Sequence, residues 1–212
     1  MTDAGAAEGG TPVDLPPVDA AALRSWRREQ RARLLAARER MSTAEHRTAS
    51  RAISERLALV LRAPRAAIVG AYWPIRREFN PLPLLQQLIA GGTCVALPAL
   101  VQKNAPLEFR LWRPGARLAV GVYDIPYPAA GAGVTPDTLI IPLVGYDRLG
   151  YRLGYGGGYY DRTVPTLSPC PRLIGIGFSS AQLPTIHPQA YDIRMDCIVT
   201  DTATLLLASG RA

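Results

Sequence analysis

Lysine is nearly absent from this chain. Lys103 is the only one in 212 residues, and Asn104 follows it. A phosphate-binding P-loop, which needs lysine followed by serine or threonine after a glycine-rich turn, is therefore excluded. Histidine is almost as scarce, with His46 and His187 alone, so no histidine cage for a metal can be built. The cysteines are three, Cys94, Cys170 and Cys197, an odd number without a CxxC pair. That argues against a disulfide framework and against a zinc site. Cys94 and Cys197 sit in apolar runs and are expected as small buried thiols. No apolar run is long enough for a membrane helix. The opening residues lack the basic-then-apolar pattern of a secretory signal. The expected compartment is a reducing cytoplasm, with no membrane partner.

What the chain does have is enough apolar residue for a core. The hydrophobic fraction is 48%, the charged fraction 19% and the formal net charge +7. This composition fits a folded globular protein rather than a disordered one. The positive balance favours an anionic partner such as a nucleic acid, a phosphorylated nucleotide or a polycarboxylate. Its arginine richness can equally reflect genomic composition. Residues 1–18 are rich in Ala, Gly and Pro without periodicity and read as a disordered tail. Residues 19–212 read as one domain.

Asp19 is placed to cap a helix running to about Arg40, with Leu23, Trp26 and Leu34 on one face and arginines covering the rest. Ser42-Thr43-Ala44-Glu45 is a capping box that starts a second helix, with Ala49, Ile53, Leu57 and Val60 inward. Short apolar runs at 66–72, 93–97, 138–144, 172–178 and 197–200 read as buried strands. Residues 107–112 alternate as an edge strand does. Asn80-Pro81 opens a helix that Gly91-Gly92 closes. A short helix is expected near 159–163. Strands alternating with helices predict an α/β fold with a mixed, largely parallel sheet covered by helices on both faces. Ligands in such folds bind beyond the carboxyl ends of strands, where the loop after Val144 lies.

That loop carries Gly150, Gly154, Gly156, Gly157 and Gly158 interleaved with Tyr151, Tyr155, Tyr159 and Tyr160, and bounded by arginines and Asp161. Glycine lets backbone N–H groups close on an anion, and a following helix adds positive potential. Asp161 is placed to hold a divalent cation against a bound phosphate. A flexible turn with solvated charges would use glycine too, but has no need of the tyrosines. A second cluster, Tyr72-Trp73-Pro74 with Glu78, suits a flat nitrogen heterocycle, the ring stacking and the carboxylate accepting from N–H donors. Trp73 could as well cap the core, with Glu78 paired to Arg76 or Arg77. Asp192 and Asp196 could ligate a metal or be exposed strand-end charges.

Taken in order, these segments resemble the 5-formyltetrahydrofolate cyclo-ligase family, also called methenyltetrahydrofolate synthetases. The resemblance spans roughly Leu23 to Thr200. Its most specific part is the run from Asp147 to Asp161, supported by Tyr72-Trp73-Pro74 with Glu78, by Leu107 to Trp112 and by Asp192 to Asp196. The resemblance implies ATP-dependent closure of 5-formyltetrahydrofolate to 5,10-methenyltetrahydrofolate through a phosphorylated formyl group. It implies that Arg24 and the run Arg152, Leu153, Gly154, Tyr155, Gly156, Gly157, Gly158, Tyr159 and Tyr160 hold ATP. It also implies that Trp73, Glu78 and the segment Tyr155 to Tyr159 touch the folate, and that Asp161 and Asp192 ligate Mg2+. The family has a basic residue four before its first ATP arginine. Here that place is Ala20, and Arg27 or Arg28 is expected to reach round instead. No proton-transfer residue is identified. Two other readings compete: a relative that activates another formamide or carboxylate with ATP, and a polyanion or RNA binder using the arginine-rich first helix. The main reading expects no nucleic acid and a monomer.

Overall fold

The computed structural model describes residues 19–62 and 66–207. The expected tail, residues 1–18, lies outside the described residues. Two helices come first, α1 (Ala20–Arg40) and α2 (Thr43–Val60). The Asp19 side chain accepts from the Ala22 N–H at 3.2 Å, so α1 starts where its cap predicts. At α2 both halves of the capping box form: Ser42 Oγ accepts from the Glu45 N–H at 3.2 Å and Glu45 returns the bond to the Ser42 N–H at 2.7 Å. Ser42→Ala removes one half, and we expect it to cost about 1 kcal/mol of stability, measured by urea unfolding. An unchanged midpoint would show that α2 is held by packing alone.

The strands are β1 (Ile68–Gly70), β2 (Cys94–Ala99), β3 (Glu108–Leu111), β4 (Leu118–Val120), β5 (Pro126–Pro128), β6 (Thr138–Pro142), β7 (Gly145–Tyr146), β8 (Arg152–Leu153), β9 (Arg172–Ile176), β10 (Cys197–Val199) and β11 (Thr204–Leu206); α3 (Leu82–Ala90) and α4 (Tyr159–Thr163) lie between them. The main sheet has the order β11-β10-β9-β6-β1-β2-β3. Its pairings from β10 through β2 are parallel, while both edge strands, β3 and β11, run antiparallel. The sheet is thus mixed and largely parallel, as predicted.

Alternation along the central strands sorts the core into two layers. Ile140, Ile174, Ile176, Cys197 and Val199 face α2 and α3 through Ile53, Leu57, Leu84 and Leu85. Leu139, Ile141, Leu173 and Ile198 face the other way, toward Phe109, Val164 and the rings of Tyr159 and Tyr160 in α4. A third cluster joins Leu34 and Leu35 of α1 to Val144, Leu153, Leu183 and Ile186. Here α1 packs closely on β7, since a Cβ at Gly145 would lie 2.7 Å from the Leu34 side chain.

Some expectations shift. Helix α3 begins one residue late, with Pro81 in the cap position, although Asn80 still accepts from the Leu82 N–H at 3.0 Å. Cys197 is buried but Cys94 is exposed, because it opens β2 at the rim and its neighbour Val95 points inward instead. Strands β4, β5, β7, β8 and β11 are two or three residues long, too short to leave a period in the sequence. No described helix is long and apolar enough to cross a membrane.

Candidate active site

The glycine–tyrosine segment follows β6, beyond the carboxyl ends of the parallel strands. It begins as the β7–β8 hairpin. Asp147, wholly buried, organises that hairpin: Oδ1 accepts from the N–H groups of Leu149 and Tyr151, both at 3.1 Å, and Oδ2 accepts from the Ile186 N–H at 3.1 Å. Past Leu153 the chain turns through Gly156 at φ 99° and Gly158 at φ 64° into α4. A side chain at either would be strained. The backbone N–H groups of residues 154–159 donate to no partner among the described residues. The loop carbonyls are held instead. Gly154 O accepts from Arg31 Nε at 2.8 Å and Gly157 O from Arg162 Nη2 at 2.6 Å. Turned this way, the loop offers N–H groups and guanidinium edges to an anion.

The structure also joins the two constellations that the sequence keeps apart. Tyr155 Oη donates to Glu78 Oε1 at 2.8 Å, and Glu78 Oε2 accepts from the Ile75 N–H at 2.9 Å. Glu78 is buried at 5% exposure, and burial pushes its carboxyl above the ordinary carboxylate range. It does not pair with Arg76 or Arg77. Those residues sit at φ 45° and 55° and turn outward, Arg76 to Glu39 at 2.6 Å and Arg77 Nη2 to Met41 O at 2.8 Å. His46 Nε2 lies 3.0 Å from Arg77 O, so the loop is pinned to the α1–α2 junction. Tyr72 Oη donates to Phe79 O at 2.7 Å and closes its base. Trp73 is half-buried against the α2–α3 side of the core. The phenols of Tyr155 and Tyr160 are pushed well above their ordinary range, first by burial and then by the Glu78 charge.

The carboxylates expected at a metal are both near the loop and both paired. Asp161 Oδ1 meets Arg152 Nη2 at 2.9 Å and the Ile193 N–H at 3.3 Å. Asp192 uses both oxygens: Arg27 Nη2 lies 2.6 Å from Oδ2 and Nη1 3.3 Å from Oδ1, and the Gln189 N–H donates to Oδ2 at 2.7 Å. Among the described residues no group of three or more His, Cys, Asp or Glu could hold a metal ion. A magnesium ion needs only one or two carboxylates when phosphates supply other oxygens. Asp161, with Oδ2 unengaged among the described residues, fits that role. Asp192 as arranged does not, because Arg27 already neutralises it. Asp196 accepts from the Leu173 N–H at 2.7 Å and ties the start of β10 to β9.

The first helix presents a different arginine to the loop from the one the resemblance implies. Arg24 is exposed and lies seven residues before Arg31, about 10 Å along the axis. Arg31, not Arg24, meets the loop, its guanidinium 3.4 Å from where a Gly156 Cβ would be. Arg27 is engaged elsewhere, its Nη2 donating to His187 O at 2.8 Å as well as to Asp192. Arg28 is exposed and bonds back to Ser25. The four-residue basic spacing missing at Ala20 and Arg24 recurs one heptad later at Arg27 and Arg31. Arg38, another heptad on, reaches the Tyr155 hydroxyl. Arg24, Arg31 and Arg38 form a seven-residue stripe in the sequence, a signal that apolar periodicity does not register. Arg152 is buried under Tyr160, its Cζ 5.7 Å from the ring centre, and holds Asp161. It shapes the loop from behind. A separate groove of about 290 Å³, lined by Ile89, Cys94, Leu111, Trp112 and Arg113, lies at the amino end of β2, away from this site.

Residues 23–201 match the model of the 5-formyltetrahydrofolate cyclo-ligase family. A 5-formyltetrahydrofolate cyclo-ligase of Mycolicibacterium smegmatis is 31% identical over 140 residues, covering 62% of this chain and 72% of that protein. One of Escherichia coli is 31% identical over 142 residues, covering 64% of this chain and 78% of that protein. The solved structure of a 5,10-methenyltetrahydrofolate synthetase of Aquifex aeolicus superimposes with a TM-score of 0.75 at 28% identity, covering 88% of this chain and 95% of that one.

Proposed function

The chain belongs to the 5-formyltetrahydrofolate cyclo-ligase family, and from that premise we propose that the loop of residues 154–160 and Arg31 hold the ATP phosphates while Trp73, Glu78 and Tyr155 receive the pterin end of 5-formyltetrahydrofolate. The reaction is ATP-dependent closure to 5,10-methenyltetrahydrofolate. The formyl oxygen attacks the γ-phosphorus and ADP leaves. The second folate nitrogen then attacks the activated carbon, losing its proton, and phosphate departs with the former formyl oxygen. Phosphorylation is what turns a poor amide-like oxygen into a leaving group.

One observation carries this reading: the 2.8 Å hydrogen bond from Tyr155 to Glu78. It brings a carboxylate able to read heterocyclic N–H groups against a loop able to bind phosphate, the juxtaposition that phosphoryl transfer onto a folate requires. Once the substrates are seated, positioning and charge stabilisation supply most of the acceleration in such transfers. Arg31 and the free loop N–H groups meet the charge spreading over the transferred phosphoryl oxygens. Glu78 and Trp73 orient the ring system. Asp161 would hold magnesium, which draws charge from phosphate oxygens when bound. Asp192 serves by fixing Arg27, and so by fixing α1 beside the loop. The three free cysteines fit a reducing compartment such as the cytoplasm. The inward turn of Arg27, Arg31 and Arg38 removes three cations from the surface that an RNA-binding reading would need.

Purified protein given ATP, magnesium and 5-formyltetrahydrofolate should produce the methenyl absorbance with one ADP per turnover. Product formed without ATP, or none at all, would refute the reading. Phosphate release only with another formamide would favour the relative that activates a different substrate.

A further inference from the structure

Arg38 takes part in no candidate set drawn from the sequence, yet it is buried at 8% exposure behind the substrate loops. Its Nη2 donates to Tyr155 Oη at 2.5 Å, and its Cζ lies 5.8 Å from the centre of that ring. Nη1 reaches Leu143 O at 3.4 Å. Nε is buried with no hydrogen-bond partner among the described residues. Placing a cation in the interior is costly unless a counter-charge offsets it. Among the described residues no carboxylate touches Arg38 directly. Its counter-charge is Glu78, reached only through the phenol. Arg38 also follows Leu34 and Leu35 on α1, where an apolar side chain would pack without that cost.

We propose that Arg38 is a positioning residue for the reaction: its guanidinium fixes the Tyr155 hydroxyl and, through it, aims an ionised Glu78 carboxylate at the pterin. This rests on the substrate reading above for what Glu78 meets, but the chain of contacts stands without it. The groups facing Glu78 are Tyr155 and Tyr160 from the loop and α4, Tyr72 and the Ile75 N–H from its own segment, and Arg38 from α1. Among these Arg38 is the only cation. Burial raises the Glu78 carboxyl, while the Ile75 N–H, the Tyr155 hydroxyl and Arg38 pull it back. Removing the guanidinium therefore raises it further, and the carboxylate takes up its proton at a higher pH.

The test compares Arg38→Met, Arg38→Lys and Tyr155→Phe. Carbon NMR of labelled glutamate follows Glu78 in the free enzyme, its resonance identified by loss in Glu78→Gln. Arg38→Met should move the Glu78 titration upward, and Arg38→Lys, which keeps the charge, should largely restore it. With 5-formyltetrahydrofolate, kcat/KM of Arg38→Met should fall by about tenfold or more, with the acid limb of its pH profile moving up in step. In a Tyr155→Phe background the same substitution should add less than about twofold, because the shared path is already cut. An unmoved titration overturns the proposal, and so does a loss of kcat/KM with the acid limb in place, which is what a merely structural arginine would give. Should Arg38→Met fail to fold, Tyr155→Phe and Arg38→Lys decide: an unmoved Glu78 titration in the first overturns it, and so does a loss of kcat/KM in the second with the titration in place. Failure of the parent protein to close the formyl folate would sink the substrate reading alone, since the titration needs no substrate.

Discussion

Asp192→Asn should lower the stability of the metal-free protein by about 3 kcal/mol or more. The side chains of Arg27 and Asp192 are each only 10% exposed, and their closest atoms are 2.6 Å apart. Removing one partner of a buried pair strands the other charge, which typically costs about 3–5 kcal/mol. In a chain of this size that is a fall of roughly 6–12 °C in melting temperature. The measurement is thermal unfolding in chelator, with and without the substitution. A residue that only ligates magnesium would behave in the opposite way, since deleting it relieves repulsion in the empty site. If Asp192→Asn melts with the parent in chelator but binds magnesium more weakly, Asp192 is a ligand after all. Asp161→Asn is the companion. It should cut turnover at limiting magnesium and recover in part as magnesium rises, because Asp161 engages only one of its oxygens among the described residues.

Arg31→Ala is expected to raise KM for ATP about 10- to 150-fold, the range for losing a hydrogen bond to a charged group, while Arg24→Ala changes it less than twofold. The guanidinium of Arg31 is half-buried and pulled below its ordinary pKa, first by burial and then by Arg27. Two cations one helical turn apart repel each other, and a triphosphate between the loop and α1 would relieve that repulsion. Arg24 has no such setting, and at 10 Å along the axis its side chain falls short of Gly156. For the same reason Ala20→Lys should leave KM unchanged. Steady-state kinetics with ATP varied checks all three. A large effect of Arg24→Ala with none from Arg31→Ala would put the nucleotide two turns nearer the start of α1 than the geometry does.

Much of this site was written locally. The run from Gly150 to Asp161 needs no tertiary context, because closely spaced glycines among tyrosines have few uses other than a ligand loop. The capping box at Ser42 and the apolar strands were legible because cap chemistry and burial act within a few residues. What local pattern could not show is pairing across the chain. Nothing near Asp192 says that Arg27 will neutralise it, and nothing near Glu78 says that Tyr155 and Arg38 stand behind it. The sequence assigned α1 an apolar face and a solvated arginine face. In the fold, Arg27, Arg31 and Arg38 turn inward because the β7–β8 hairpin and the segment around Ile186 present carbonyls and carboxylates there. Hydrophobic periodicity has no means of seeing a polar face that gets buried.

The reach of those pairings sets a schedule for synthesis. Arg27 and Asp192 are 165 residues apart, and Arg31 and Arg38 also bond to groups more than a hundred residues downstream. At a translation rate of roughly 5–20 residues per second, α1 leaves the ribosome about six to thirty seconds before its partners exist. Through that interval the capped helix carries its cations without counter-charges. The sheet can begin to gather on α2 and α3, but the glycine–tyrosine loop gets its backing only when the stretch after Ile186 arrives. The part of the enzyme made early is therefore among the last to be put in place.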